Sequence, residues 1–137
     1  MTVYTVLSID DLAMEPLDHC VVGTFTTRGR ALDECVDYIM ERINLRDDLA
    51  WAVAHDENHP SSASWMEETA EGWAVADPIA LREDIRDELD GSGCYYIWDG
   101  ESSWHFDIDE NDIEGLAAGR AISGYREDQN KRKKVEK

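Results

Sequence analysis

The sequence predicts an α+β fold in which a four-stranded, mainly antiparallel sheet carries helices packed on one face. Two apolar patterns support this: β-branched and aromatic runs near both ends indicate strands, and apolar spacings of three and four in the middle indicate helices. An Asp-Gly pair between the last two runs adds a hairpin signal. The element order is therefore β-β-α-α-α-β-β, for which an α+β sandwich is the simplest architecture.

The first two strands are predicted near the N-terminus. Residues 3–9 form a β-branched run that contains an aromatic residue, and residues 20–26 form a second apolar run. The polar residues 10–18 between them include Pro16. We therefore expect the two strands to pair as a hairpin with a long loop.

The first helix follows Thr26 or Thr27, either of which can cap its N-terminus. One apolar stripe defines this helix: Leu32, Cys35, Val36, Ile39, Met40 and Ile43. Helical periodicity continues towards His55 after a bend expected near Asn44. We expect this second stretch to end at Pro60, because the residue before a proline is driven out of helical geometry.

The third helix has the clearest boundaries in the chain. Asp77 is its expected N-cap, Pro78 suits the first turn, and Gly91 is the expected C-terminal stop. Its buried stripe consists of Leu81, Ile85 and Leu89. The preceding residues 61–76 have no clear period, and we expect them to cover the core as a loop or a short helix.

The last two strands, residues 94–98 and 103–108, flank Asp99-Gly100, where we expect a type I′ turn. Alternate residues of the second strand share a face: Trp104, Phe106 and Ile108 on one, and His105, Asp107 and Asp109 on the other. One face is then buried and the other exposed, as is common in antiparallel sheets. A short helix is expected over residues 111–118.

At 137 residues the chain fits a single domain. We assign residues 1–119 to an acidic α+β domain and the basic residues 120–137 to a flexible tail. No apolar run approaches the ~20 residues of a membrane span, and the N-terminus lacks the features of a signal peptide.

The three cysteines, Cys20, Cys35 and Cys94, are expected to be buried free thiols in a cytoplasmic protein.

The charge of the chain is strongly asymmetric. Up to Gly115 it carries 28 Asp and Glu against six Arg and no Lys, a formal charge of −22, whereas the remaining residues carry +4. Such a negative surface repels phosphate backbones, which argues against direct nucleic-acid binding by residues 1–115. It should attract a protein with a basic surface, such as a nuclease or another nucleic-acid-binding protein.

Two acidic groups are the candidate partner-binding residues. Asp33, Asp37 and Glu41 recur every four residues on the first helix, a spacing that places them on one face. The second group lies near the end of the predicted domain: Asp107, Asp109, Glu110, Asp112 and Glu114. Rows of carboxylates can take the place of phosphates in a basic groove. Those aromatic residues that are exposed among Trp65, Trp73, Trp98 and Trp104 could anchor such a contact.

The pair His55 and His59 is a weak candidate for metal binding. The two histidines are four residues apart, as in metal-binding helices. In a zinc-protease helix, however, Glu follows the first His, and here Asp56 stands in that place and Pro60 follows the second His at once. We therefore favour a polar helix end without a metal.

No cofactor or catalytic site is predicted. Asp107, Asp109 and Asn111 resemble the start of a calcium loop, but Asp112 stands where that loop requires Gly. The chain also lacks a P-loop, a dinucleotide fingerprint and a G-x-S-x-G frame. We therefore expect a protein that is not an enzyme.

In size, charge and lack of a catalytic motif, the chain resembles small phage or mobile-element proteins that block host nucleases, including anti-CRISPR and anti-restriction proteins. The resemblance is one of composition, so it transfers no site residue. It implies an inhibitor that mimics nucleic acid and occupies a positively charged groove. Two alternatives stay open: a metal-binding protein or metal-dependent enzyme that uses His55, His59 and nearby carboxylates, and an accessory protein that self-associates, for example as a homodimer. Acidity that serves only solubility is a further explanation.

Overall fold

The structure is a computed structural model that describes residues 1–112. Its strands are β1 (Thr2–Asp11), β2 (Asp18–Phe25), β3 (Met66–Thr69), β4 (Gly72–Val75), β5 (Cys94–Trp98) and β6 (Ser103–Asp112). Its helices are α1 (Arg28–Leu45), α2 (Asp47–Ala54) and α3 (Pro78–Ser92), with a 3-10 helix at Pro60–Trp65. Among these described residues, no helix is long and apolar enough to cross a membrane. Glu114, the predicted domain end at residue 119 and the predicted tail lie outside them.

A four-stranded antiparallel sheet with the order β2-β1-β6-β5 organises the fold and confirms the predicted α+β class. β1 pairs with β2 across the long connection, as predicted, and β5 pairs with β6. β1 also pairs with β6, so that Thr2 lies opposite Asp112 and the two ends of the described chain meet at the sheet centre.

The helices pack on the sheet face that carries Val6, Ile97 and Phe106, each fully buried. The predicted stripe of α1 is buried along its whole length, since none of its residues is more than 9% exposed. The stripe of α3 is fully buried as well. Burial stabilises each large aliphatic side chain by about 1.5–3 kcal/mol, so the two stripes hold both helices on the sheet.

The N-cap of α1 is Thr27, whose hydroxyl accepts a hydrogen bond from the backbone N–H of Arg30 at 3.3 Å. The bend expected near Asn44 lies two residues later, where Arg46 adopts an extended backbone between α1 and α2. The predicted helix end at Pro60 is wrong, because α2 ends at Ala54. Pro60 instead begins the 3-10 helix, where its fixed φ suits the first turn.

Asp77 caps α3 as predicted, since its carboxylate accepts the N–H of Ala80 at 3.1 Å. The predicted stop at Gly91 is wrong: α3 continues through it to Ser92, and Gly93 ends the helix. Gly93 has a φ of +82°, the left-handed conformation that glycine adopts without strain. Its N–H donates to the carbonyl of Leu89 at 2.8 Å, a typical helix C-cap.

The expectation of a loop or short helix over residues 61–76 is met at residues 61–65, which lie in the 3-10 helix. It is wrong for residues 66–75, which form a small antiparallel hairpin, β3–β4. Met66 is buried, and Trp73 and Val75 pack against the core. The backbone N–H of Trp73 donates to Oδ1 of Asp47 at 2.9 Å, which ties the hairpin to the start of α2. Strands of four residues are too short for their alternation to stand out in the sequence.

The loop between β5 and β6 contains four residues, so the predicted type I′ turn at Asp99-Gly100 is wrong. Gly100 has a positive φ of +105°, but Asp99 does not. The Asp99 carboxylate instead accepts the N–H groups of the residues two and three positions later, at 2.9 and 2.6 Å, and closes the loop. β6 then runs to Asp112, so residues 111 and 112 are strand and not the start of the expected short helix.

Candidate functional site

The face of the four-stranded sheet opposite the helices is called the open face below. Side chains alternate between the two faces along each strand, and the helices cover the face that carries Val6 and Phe106. The open face carries the alternate residues: Leu7 and Ile9 of β1, Val21 of β2, Cys94, Tyr96 and Trp98 of β5, and His105, Asp107 and Asp109 of β6. It is accessible from outside, since Val21, Tyr96 and Trp98 are 45%, 39% and 47% exposed.

A histidine and a carboxylate interact on the β6 part of the open face. Nε2 of His105 lies 2.9 Å from Oδ1 of Asp107, and both side chains are partly buried. The hydrogen bond to Asp107 raises the pKa of His105 above its usual value, against the opposing effect of burial, and the charge of Asp109 acts in the same direction. The ring of Tyr96 meets the His105 ring edge-on, with centroids 5.7 Å apart. The imidazole is therefore held by contacts with two neighbours.

Cys94 completes a cluster with this pair. It lies on β5 directly opposite Asp107. One ligand atom each from Cys94, His105 and Asp107 lie within 4.8 Å of one another, and all three residues are half-buried. A thiolate, an imidazole and a carboxylate are the three side-chain groups that bind zinc. The alternation of the last strand predicts His105 and Asp107 on one face, but it does not reveal that Cys94 lies beside them.

The three cysteines are free thiols but are not all buried as expected. Cys35 is fully buried in α1, and burial raises the pKa of its thiol to about 12. The expectation is wrong for Cys94, which is half-buried on the open face, and for Cys20, which is exposed on β2. Apolar neighbours in the sequence do not reveal which face of a strand a cysteine occupies, because strand side chains alternate.

A ladder of three ion pairs joins α1 to the antiparallel α3: Arg28–Asp90, Asp33–Arg86 and Asp37–Arg82. Two of the acids predicted to bind a partner, Asp33 and Asp37, are therefore neutralised within the molecule. Because these side chains are roughly half exposed, each pair stabilises the fold by at most about 1 kcal/mol. Glu41, the third predicted acid of this row, is exposed and forms no ion pair with the described residues.

The structure does not bring the two predicted acidic groups together. α1 packs on the helical side of the sheet, whereas Asp107 and Asp109 lie on the open face. Glu110 and Asp112 are exposed near the end of β6, and Oδ1 of Asp112 lies 3.4 Å from the N-terminal amine. Residues 107–111 are extended and do not curl into the calcium loop considered above. One flat contact therefore cannot use α1 together with Asp107 and Asp109.

Every arginine in residues 1–112 forms an ion pair with an acidic residue of the chain. Besides the three pairs of the ladder, these are Arg30–Glu34, Arg42–Asp10 and Arg46–Asp48. The described residues contain 27 acidic side chains and no lysine. Most of their carboxylates therefore have no lysine or arginine of the described chain to neutralise them.

His55 and His59 are engaged separately. Nδ1 of His59 lies 2.8 Å from Oδ2 of Asp56, and its Nε2 lies 2.8 Å from Oε2 of Glu88, so carboxylates occupy both ring nitrogens. His55 stacks on Trp51 with ring centroids 4.0 Å apart, and its Nδ1 lies 2.7 Å from the carbonyl oxygen of Trp51. Neither histidine belongs to the metal-ligating cluster found among residues 1–112.

Of the four tryptophans considered as anchors, Trp98 is best placed, since it is 47% exposed on the open face. Trp104 is fully buried in the core and is therefore not one of the exposed aromatics that could contact a partner. Trp65 and Trp73 are partly buried and pack against the core.

Comparisons of the chain with protein-family models, with curated proteins and with solved structures gave no match.

Proposed function

We propose that this chain is an acidic interaction domain that binds a positively charged groove of a nucleic-acid-binding protein and so blocks access of the nucleic acid. The observation that supports the proposal is the ion pairing of the arginines within the chain. All six within residues 1–112 are paired with acidic residues of the same chain. The positive charge that would neutralise the remaining acids must come largely from solvent ions or from a partner.

The size of the charge gives the proposal its physical basis. With histidines neutral, residues 1–112 carry 27 acidic residues and six arginines, a formal charge of −21. A surface with one dominant sign of charge steers an oppositely charged partner and raises the association rate by about 10–10³-fold at low salt. A nucleic-acid-binding groove is such a partner, because it is built to neutralise phosphates with Lys and Arg.

We expect the partner to bind the helical side of the molecule. Glu41 of α1 and Glu83 and Asp87 of α3 are exposed and form no ion pair with the described residues. In the sequence, Glu83 and Asp87 follow Arg82 and Arg86 directly, and Glu41 lies one helical turn after Asp37, so all three are near residues of the two ion pairs that join α1 to α3. The ladder therefore presents the unpaired carboxylates on a fixed frame, and we expect these carboxylates, rather than Asp33 and Asp37, to meet the partner.

Competition for DNA tests the proposal. Purified nucleic-acid-binding proteins of several classes (a restriction endonuclease, a CRISPR effector nuclease and a helix-turn-helix repressor) are each bound to fluorescent duplex DNA, and the chain is titrated in while anisotropy is measured. We expect the chain to release DNA from at least one class, and to do so less well as salt rises. A chain that displaces DNA from no class tested would contradict the assigned target.

A charge-matched pair of variants separates this mechanism from a nonspecific polyanion effect. The triple variant Glu41→Lys, Glu83→Lys, Asp87→Lys should lose the competition. The triple variant Asp11→Lys, Glu15→Lys, Asp18→Lys changes the net charge equally at the exposed β1–β2 connection, so it should retain the competition. Equal activity of all three proteins would exclude the helical side as the contact.

A further inference from the structure

We propose that Cys94, His105 and Asp107 bind one divalent transition-metal ion of the zinc class on the open face of the sheet. The inference is independent of the proposed function, because these residues lie on the side of the sheet opposite the helices. It is also separate from the His55 and His59 pair, whose rings are occupied by other contacts.

The distances in the cluster suit a metal ion. Zinc binds Cys sulfur at about 2.3 Å and His nitrogen or carboxylate oxygen at about 2.0–2.2 Å. Ligand atoms of a tetrahedral site are consequently about 3–4 Å apart. In this cluster the three ligand atoms lie within 4.8 Å of one another, and Nε2 of His105 is 2.9 Å from Oδ1 of Asp107. Small side-chain rotations suffice to place all three around one ion.

The donor set selects the class of metal. A thiolate and an imidazole are soft and borderline ligands, which favour zinc and similar ions, whereas calcium and magnesium prefer oxygen ligands alone. Three protein ligands leave the fourth tetrahedral position for water or an external group. On binding, the metal replaces the thiol proton of Cys94, which leaves to solvent, so a sulfur–metal bond forms as the S–H bond is lost.

The strands hold the ligands in place before any ion arrives. His105 and Asp107 are two residues apart on β6, so both point to the open face, and Cys94 lies across the ladder from Asp107. Directly behind Cys94, the N–H of Ile108 donates to the carbonyl of Gly93 at 2.9 Å. Sites built on paired strands are more precisely formed than sites on loops.

Neighbouring groups support the ligands in the way that outer-shell partners do in metal sites. The hydroxyl of Ser92 lies 3.9 Å from the sulfur of Cys94, within hydrogen-bond range for sulfur. The ring of Tyr96 fixes the plane of His105 from the side. Within residues 1–112, the ion-pair partner of Asp107 is His105, and the six arginines pair with other acids. A dication therefore meets no competing guanidinium at this carboxylate.

Metal titration of the full chain tests the site. Protein stripped with a chelator is titrated with Zn²⁺ by calorimetry and with Co²⁺ by absorption spectroscopy, which reports thiolate–cobalt charge transfer directly. We expect one ion per chain. Cys94→Ser should abolish the charge-transfer band, and His105→Gln and Asp107→Asn should each weaken binding by at least about 100-fold, since even outer-shell changes cost about 10–100-fold.

The other two cysteines provide matched controls. Cys20→Ser and Cys35→Ser should leave the cobalt spectrum unchanged, and a loss of the band in either one with retention in Cys94→Ser would overturn the proposal. An absence of Zn²⁺ and Co²⁺ binding in the wild-type chain would overturn it as well. Should the Cys94 variant fail to fold, alkylation of the wild-type protein decides: Zn²⁺ should slow alkylation of Cys94 but not of exposed Cys20, and equal rates with and without Zn²⁺ would refute the site.

Discussion

Oε2 of Glu88 lies 2.8 Å from Nε2 of His59, and Oδ2 of Asp56 lies 2.8 Å from Nδ1 of the same ring. The His59 side chain is only 11% exposed, and its ring lies against Tyr95 with centroids 4.9 Å apart. Burial lowers the pKa of His59, but the hydrogen bonds and charges of Asp56 and Glu88 outweigh burial and raise the pKa above its usual value. When protonated, His59 is a largely buried cation that joins the segment after α2 to α3.

This arrangement predicts a pH-dependent contribution to stability. Because the folded pKa is raised, the stabilisation from protonated His59 is complete below about pH 6.5, the usual histidine pKa, and is lost as the pH rises through the folded pKa. His59→Gln should therefore lower the free energy of unfolding by about 1–3 kcal/mol in the acidic part of the native range, and by less in alkaline buffer. Urea unfolding over a pH series measures both values.

His55→Gln is the matched control for the His59 variant. His55 is exposed and stacked on Trp51, so its loss should leave the pH dependence due to His59 in place. A constant stability deficit of His59→Gln across the whole pH series would show that His59 does not act through its charge.

A second prediction concerns the largely buried ion pair between Arg42 of α1 and Asp10 of β1. Arg42 contacts Asp10 through both guanidinium NH₂ groups, at 2.7 and 3.2 Å, and also donates to Ser8 and Tyr38. The Arg42 and Asp10 side chains are only 16% and 13% exposed. Asp10→Asn leaves the guanidinium without its carboxylate and should destabilise the fold by about 3 kcal/mol.

Arg30→Gln serves as the comparison for that change. Arg30 pairs with Glu34 on the surface of α1, where its side chain is 66% exposed, and its guanidinium lies 5.7 Å from the centroid of the Phe25 ring. Its loss should therefore cost about 1 kcal/mol or less. Thermal unfolding of both variants checks the difference. Similar shifts in Tm would contradict the importance of burial for the Arg42–Asp10 pair.

Two glycines should respond to alanine with opposite sign. Gly72 has a φ of +123°, and a Cβ at this position would clash with Oδ1 of Asp47, the oxygen that accepts the backbone N–H of Trp73. Gly72→Ala should destabilise the fold by about 1–3 kcal/mol. Gly91 lies within α3 and a Cβ there meets no atom within 4 Å, so Gly91→Ala should stabilise by about 0.5–1 kcal/mol. Chemical unfolding of the two variants would refute the account if the order were reversed.

The fold class was predictable because the long apolar patterns dominate it. The stripe from Leu32 to Ile43 and the alternation of Trp104 and Phe106 each span enough residues to identify their elements, and both are buried as predicted. The short hairpin β3–β4 was missed, since its contacts depend on Asp47 in a distant helix. Local sequence does not encode such a contact.

The cluster of Cys94, His105 and Asp107 on the open face was partly predictable from the sequence. A two-residue turn at Asp99-Gly100 would have placed Cys94 opposite His105, whereas the observed four-residue loop places it opposite Asp107. A shift of two residues keeps every side chain on its face, so either register brings the three side chains together. The apolar neighbours of Cys94 in the sequence favour a core position and so hide its proximity to His105 and Asp107.

The acidic surface was predictable from composition, but its pairing was not. Asp33 and Asp37 have the spacing of an exposed row, and only the packing of α3 beside α1 reveals that Arg86 and Arg82 neutralise them. Which carboxylates remain without a cation therefore depends on tertiary structure.

The most direct test of the central claim uses a nucleic-acid-binding protein from which this chain displaces DNA. The rate at which the chain associates with that protein is measured as a function of ionic strength. Stopped-flow measurements between about 0.05 and 0.5 M salt give the slope of the association rate against salt concentration. The screening length falls several-fold over this range. The account predicts a steep fall in the rate for wild type and for the triple variant at Asp11, Glu15 and Asp18, and a shallow fall for the triple variant at Glu41, Glu83 and Asp87. A rate that does not change with salt, or equal slopes for all three proteins, would contradict it.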